Sequence, residues 1–418
     1  MRRLALLAAL AVVGLVLACD GAGEPSRTAT PGPPPSGTPS PAGTTPTSAA
    51  QGEYPPKVSL TEPGVYLVRP DGSGLRQLAS GEGRFRSIWS PDGSHIAVVG
   101  IVGGAHRVSV IDVDDGAEVA VFDGSGRGPE LWVGNPLWSP DGRQLVVPAG
   151  PYQETTGWHA YLVNADGSGE PIDLFEGSLL RWSPDGSVLA FVDYSEKGVT
   201  LQTFDLTTHT ATIIERAIGL DSFAWSPDSQ RMAYTIKLRL PNFEAVVVID
   251  RDGFNRRVMA EGVSRPEWSP NGEYLAFIDH GGRVAVAQMT ISSYPVRLAP
   301  RRAVVTWWSP KGDAILIWET SSLSLLSLAT REAIEPTDVA AGVVPTGSAS
   351  FSPDGQRVAF TGHESAPPTT DPGDLFIANA DGTALEKLVE PSVGMPWGPV
   401  WSPDGRYIAF VNGPTAIS

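Results

Sequence analysis

Cysteine is nearly absent: Cys19 is the single one in 418 residues. One thiol excludes an intramolecular disulfide and any cysteine cluster for a metal. Histidine is scarce as well. The six residues His95, His106, His159, His209, His280 and His363 show neither HxxxH nor HExxH spacing, so no zinc site is read and no metal or cofactor is expected. Positive charge is short: 30 Lys and Arg stand against 46 Asp and Glu, for a formal charge of −16. Nucleic acid and anionic lipid surfaces both require clustered cations, so neither is expected as the main partner. Apolar residues at helical spacing are missing too; most fall in short runs between turn signals. Long apolar runs are confined to the first 18 residues.

What is present begins there. MRRLALLAALAVVGLVLA opens on Arg2 and Arg3 and continues with about fifteen apolar residues, fewer than the roughly 20 a spanning helix needs. The spacing predicts a signal peptide over 1–18. The run closes on Val16-Leu17-Ala18-Cys19, which resembles the bacterial lipobox; that resemblance implies an acylated Cys19 and a membrane anchor through lipid. Residues 19–56 are rich in Pro, Ser, Thr and Gly with almost no large apolar side chain, so they cannot bury enough surface to offset ordering entropy. A disordered tether is expected.

From residue 57 to 418 the chain repeats. Trp89-Ser90-Pro91-Asp92-Gly93 recurs at Trp138, Trp182, Trp225, Trp268, Trp308, Phe351 and Trp401, at spacings of 49, 44, 43, 43, 40, 43 and 50 residues. This is the length of a four-stranded propeller blade. Pro presets the first turn position, Asp bonds its own backbone and Gly accepts positive φ, so each motif reads as a hairpin turn. The strand that follows runs apolar, small, large, as in Leu189-Ala190-Phe191 and Leu275-Ala276-Phe277; the small residue is expected to let adjacent blades approach closely. The repeated region opens on an outer hairpin, Val65 to Gly72, and ends on an inner one, Trp401 to Val411. The two should complete one another. The expectation is an all-β, eight-bladed propeller of four-stranded antiparallel blades, closed by N-terminal outer strands pairing with C-terminal inner strands.

These units resemble the WD-like repeats of the TolB propeller and of the propeller domain of the prolyl oligopeptidase family. The resemblance implies the fold and says little about activity. TolB carries an α/β domain before a six-bladed ring, whereas a Pro/Thr-rich stretch stands here, so TolB partners are not carried over. Prolyl oligopeptidase-like enzymes append a hydrolase domain with Gly-x-Ser-x-Gly, a pattern that occurs nowhere in this sequence.

The repeated aspartates, Asp92 and its equivalents, read as turn residues rather than as an acid/base ring. Asp112-Val113-Asp114-Asp115-Gly116 has a partial likeness to a calcium loop but lacks the downstream Glu. In a propeller, the second-to-third strand connections and the blade-to-blade connections share one face, and the long segments fall in that group. They carry aromatics and charges outside the repeat: Trp132, Tyr152, Trp158, Lys237, Arg239, Phe243, His363 and Trp397. Such residue types on a rigid scaffold suit ligand binding; the alternative is that Trp132, Trp158 and Trp397 fold back and plug the ring. The expected role is a non-catalytic binding or scaffold module, a monomeric ring facing a protein, peptide or glycan of the cell envelope. The alternative is an enzyme, a lyase or hydrolase with a propeller pocket for peptides or sugars.

Overall fold

Eight Trp/Phe-Ser-Pro turns, each followed by a strand of alternating large and small apolar residues, give eight antiparallel sheets in the computed structural model. It describes residues 60–413, apart from short breaks of which the longest are 238–243, 290–296, 329–336 and 365–372. Cys19 and the signal and tether segments expected over 1–56 lie outside the described residues.

Numbered along the chain, blade 1 comprises Arg86–Trp89, His95–Val102, Ala105–Asp112 and Glu118–Asp123. Blade 2 has a first strand in two pieces, Leu131–Val133 and Leu137–Trp138, both pairing with Gln144–Pro151, followed by His159–Asn164 and Ile172–Glu176. Blades 3, 4 and 5 start at Ser178–Trp182, Leu220–Trp225 and Val263–Trp268; blades 6 and 7 start at Val305–Trp308 and Val344–Phe351. Blade 8 is composite: its sheet order is Arg76–Ser80, Gly64–Val68, Ile408–Gly413, Met395–Trp401. Val65 pairs with Val411 and Leu67 with Ala409, antiparallel, so the two ends of the repeat share one sheet as expected.

Packing closes the ring. The apolar core divides into eight clusters, one between each adjacent pair of blades; Val65, Leu67 and Val411 of blade 8 meet Trp89, Ile96 and Ile111 of blade 1. Period-2 alternation assigns the faces. In blade 4, Met232 and Tyr234 face blade 3, while Ala233 faces blade 5 and lies in one cluster with Trp268. The small residue of the strand pattern therefore makes room for the next blade's tryptophan.

The motif serine, unassigned in the sequence reading, is the hub of each turn. Ser90 Oγ donates to Asp92 at 2.6 Å and accepts from the His95 amide at 2.9 Å, while the Ser94 amide donates to Asp92 at 3.0 Å. All eight motif serines are buried. Asn271 accepts the same two bonds in blade 5. In blade 6, where Lys311 stands, Asp313 two positions on takes the Ser309 hydroxyl at 2.7 Å. The turns also touch around the ring: a Cβ on Gly142 would lie 3.7 Å from Pro91, one on Gly186 would lie 3.4 Å from Pro140, and one on Gly93 would lie 3.4 Å from Pro403 across the seam. Blade 4 has Ser229 at the glycine position with φ 59°, and its hydroxyl accepts from the Asp185 amide at 3.0 Å. Asp112 is likewise a turn residue, accepting the amides of Asp114 and Asp115 at 2.8 and 3.1 Å.

Candidate functional site

The first strands of neighbouring blades lie against one another and form the innermost circle. Their motif ends meet on the short-turn face, and their opposite ends open on the face of the long connections.

On that second face, blades 1 and 2 bring three aromatic side chains into a row. Trp132 stacks on Tyr152, with ring centroids 4.0 Å apart and planes at 22°, and meets His106 of blade 1 at 4.8 Å. Tyr152 is 48% exposed at the end of the row. Burial lowers the His106 pKa, which favours the neutral ring, and its Nδ1 is buried without a hydrogen-bond partner. The row depends on the extra strand piece Leu131–Val133, which extends the inner edge of blade 2 and seats Trp132 opposite Gly150.

Trp158 belongs to the same end of blade 2. Its Nε1 donates to the Glu154 carbonyl at 2.8 Å, and a Cβ on Gly150 would lie 2.7 Å from its Cα. Gly150 is thus required by close approach. The indole walls a pocket of about 310 Å³ between blades 2 and 3, shared with Asn135, Pro148, Leu179 and Arg181. It stands beside the pocket rather than plugging the ring.

The remaining candidates are placed elsewhere. Lys237 ends the second strand of blade 4 and pairs with Asp221 at 3.1 Å. His363 ends a strand of blade 7 and is 8% exposed. Trp397 lies within the first strand of blade 8 rather than in a loop, paired with Val411 and packed on the apolar cluster of the seam; proximity of Pro and Gly made that stretch read as a connection. Arg239 and Phe243 fall outside the described residues. Three of the eight candidates, Trp132, Tyr152 and Trp158, therefore gather on blade 2, whereas Lys237, His363 and Trp397 sit on blades 4, 7 and 8.

Residues that the repeat pattern hides complete the site. In blades 3, 5 and 8 the register shifts three residues before the motif tryptophan, at Leu179, Arg265 and Gly398, all with positive φ (53°, 55° and 63°). Left-handed backbone at leucine and arginine is strained and clusters at functional positions. Two residues on, Arg181 and Glu267 project from the innermost strands with their side chains exposed. Burial pulls the Arg181 pKa down and pushes that of Glu267 up, the latter against Arg265 and the Thr306 hydroxyl. Among the described residues no group of three His, Cys, Asp or Glu side chains is arranged to hold a metal.

Comparison with known proteins gives the same architecture. No family model matches the chain. Prolyl oligopeptidase B from Galerina marginata superposes with a TM-score of 0.54 at 12% identity, over 80% of this chain and 56% of that one. Oligogalacturonate lyase from Vibrio parahaemolyticus superposes at 0.50 with 15% identity, over 80% of this chain and 99% of that one.

These likenesses show a propeller.

TolB from Acinetobacter baumannii is also similar, more loosely, at a TM-score of 0.39 and 16% identity over 76% of this chain and 79% of that one. An uncharacterised protein of Agrobacterium fabrum is 25% identical over 194 residues, 43% of this chain and 63% of that protein. The chain thus spans less than two thirds of the length of this curated relative. All described residues of the propeller are strand, turn or irregular, and no hydrolase unit is among them.

Proposed function

We propose that this chain is an exported, lipid-anchored propeller that acts as a non-catalytic binding or scaffold module, taking a protein, peptide or glycan of the cell envelope on the face formed by blades 1 to 3. The observation that carries the reading is the row His106–Trp132–Tyr152, whose first two members sit on strands and whose last, Tyr152, ends in solvent. Ordered aromatics lose little side-chain entropy on binding and supply large apolar contact, which is why they dominate binding hot spots. A ring in which every blade is packed on two others provides rigidity, so recognition falls to what projects from it. Cys19 supplies the anchor, its acyl chains contributing about 0.8 kcal/mol per buried methylene.

The test is photo-crosslinking on intact cells from a reactive residue placed at Tyr152. One discrete adduct that disappears on Trp132→Ala supports the reading. Catalytic turnover of envelope peptides or polysaccharides by the purified chain would replace it with the enzymatic alternative, a lyase or hydrolase.

A further inference from the structure

Blade junctions 4/5 and 7/8 share a closing device that junction 2/3 lacks. At the first, the amide of the left-handed Arg265 donates to Thr235 Oγ1 of the preceding blade at 3.1 Å. At the second, the amide of Gly398 donates to Ser348 Oγ at 3.0 Å, and Ser348 in turn meets Thr361 at 3.3 Å. Thr235 and Thr361 occupy one position, three residues after the partner of the motif aromatic, since Trp225 pairs with Met232 and Phe351 with Val358. Trp138 pairs with Leu145, so the same position in blade 2 is Pro148. Proline offers no hydroxyl to the left-handed Leu179, the counterpart of Arg265 and Gly398. The space is the 310 Å³ pocket.

The pocket also holds a cation with no counter-charge among the described residues. Arg181 Nη1 donates to the Leu180 carbonyl at 2.9 Å. No carboxylate of the described residues pairs with the guanidinium, and burial lowers its pKa with no opposing charge to offset this. On a chain of net charge −16, an arginine that lines a pocket and pairs with no described carboxylate leaves its outer donors to an anion entering that pocket. Its planar fork matches a carboxylate in two parallel hydrogen bonds. The Trp158 indole forms an adjacent wall.

We infer that the pocket between blades 2 and 3 binds a carboxylate on a ring-sized unit, with Arg181 clamping the carboxylate and Trp158 covering the ring. The inference rests on the binding-module reading and names the ligand chemistry of its site. The volume lies near the lower end of small-ligand sites, enough for one such unit. A carboxylate on a sugar ring and one on an aromatic ring present the same group, and the probes below separate them.

Isothermal titration of the purified full chain uses glucuronate against glucose and benzoate against benzamide. The expected result is that at least one acid binds, its neutral counterpart binds at least about tenfold more weakly, and Arg181→Gln abolishes the difference. Whichever acid binds better identifies the ring. Pro148→Thr is the second variant: it places a hydroxyl where Thr235 and Thr361 stand, should close the junction, and should weaken the acid at least about tenfold while the chain stays folded. Equal binding of acid and neutral compound, no binding of either acid, or undiminished binding by Arg181→Gln and Pro148→Thr would overturn the proposal. Those outcomes leave the crosslink at Tyr152 standing; loss of that crosslink in Trp132→Ala with acid binding intact isolates the two sites.

Discussion

Replacing motif tryptophans by phenylalanine should have unequal effects that follow from hydrogen bonding rather than from packing. Phe351 stands naturally at this position, so the ring fits. The indole of Trp138 donates to the Ile88 carbonyl of the preceding blade at 3.0 Å, as Trp89 does to Val400 and Trp182 to Leu137, each at 3.1 Å. Trp225 is equally buried, 8% exposed against 9% for Trp138, yet its Nε1 has no partner. Either substitution removes some 40 Å² of apolar surface, about 1 kcal/mol at 25 cal/mol per Å². Trp138→Phe also loses a hydrogen bond worth about 1 kcal/mol and strands a buried carbonyl. Trp225→Phe instead removes an unsatisfied buried donor, which recovers about 1–3 kcal/mol. The expected cost is therefore about 2–3 kcal/mol for Trp138→Phe, whereas Trp225→Phe should range from about zero to a stabilisation of about 2 kcal/mol. Guanidinium unfolding followed by far-UV circular dichroism, compared at equal m-values, measures the difference. A Trp225→Phe variant as destabilised as Trp138→Phe would refute the reasoning.

Acid should unfold the ring in a defined window. The Ser90 hydroxyl, then the Ser94 amide, hold Asp92 at about 2, and Asp141 and Asp354 are lowered in the same way by Ser139 and Ser352. A carboxylate depressed in the folded state stabilises above its unfolded value near 4 and loses that contribution as pH falls toward 2; the denaturation midpoint should hold from pH 7 to about 5 and then drop, and an unchanged midpoint at pH 2 would contradict this. Asp92→Asn, which copies Asn271, should preserve the turn and blunt part of the drop. Tyr234→Phe removes a 2.6 Å bond from the phenol to Glu215, which Arg256 also binds at 2.6 Å; four other blades place Phe191, Phe277, Phe360 and Phe410 there, so the ring fits and a loss of about 1–2 kcal/mol is expected in the same unfolding assay. Cys19→Ser should move the protein from the membrane to the soluble fraction after cell fractionation; retention in the membrane would remove the lipid anchor from the account.

Much of the ring was legible because turn chemistry repeats. Ser-Pro-Asp-Gly fixes a hairpin wherever it occurs, and half-units at both ends of the repeat leave each other as partners. Lys311 replaces the motif aspartate without spoiling the repeat; Asp313 takes over from two residues away, a substitution visible once the serine is known to need an acceptor. The site was less legible. Trp132 and Tyr152 stood out as aromatics outside the repeat, but their stacking depends on a split first strand that no turn residue announces. The bulges at Leu179 and Arg265 carry no glycine, so positive φ leaves no trace there. Pro148 gains meaning only when its register equates it with Thr235 and Thr361, and Arg181 only when its strand proves to be innermost.

The row, the pocket and the division into two faces all require that the first and last strands share one sheet. Cysteines introduced as Val65→Cys and Val411→Cys in a Cys19→Ser background, at positions paired across the seam, test this directly. The closed ring predicts a quantitative intramolecular disulfide on mild oxidation of the folded monomer, with added resistance to unfolding from so long a closed loop. Free thiols, or covalent dimers in place of the internal bridge, would contradict it.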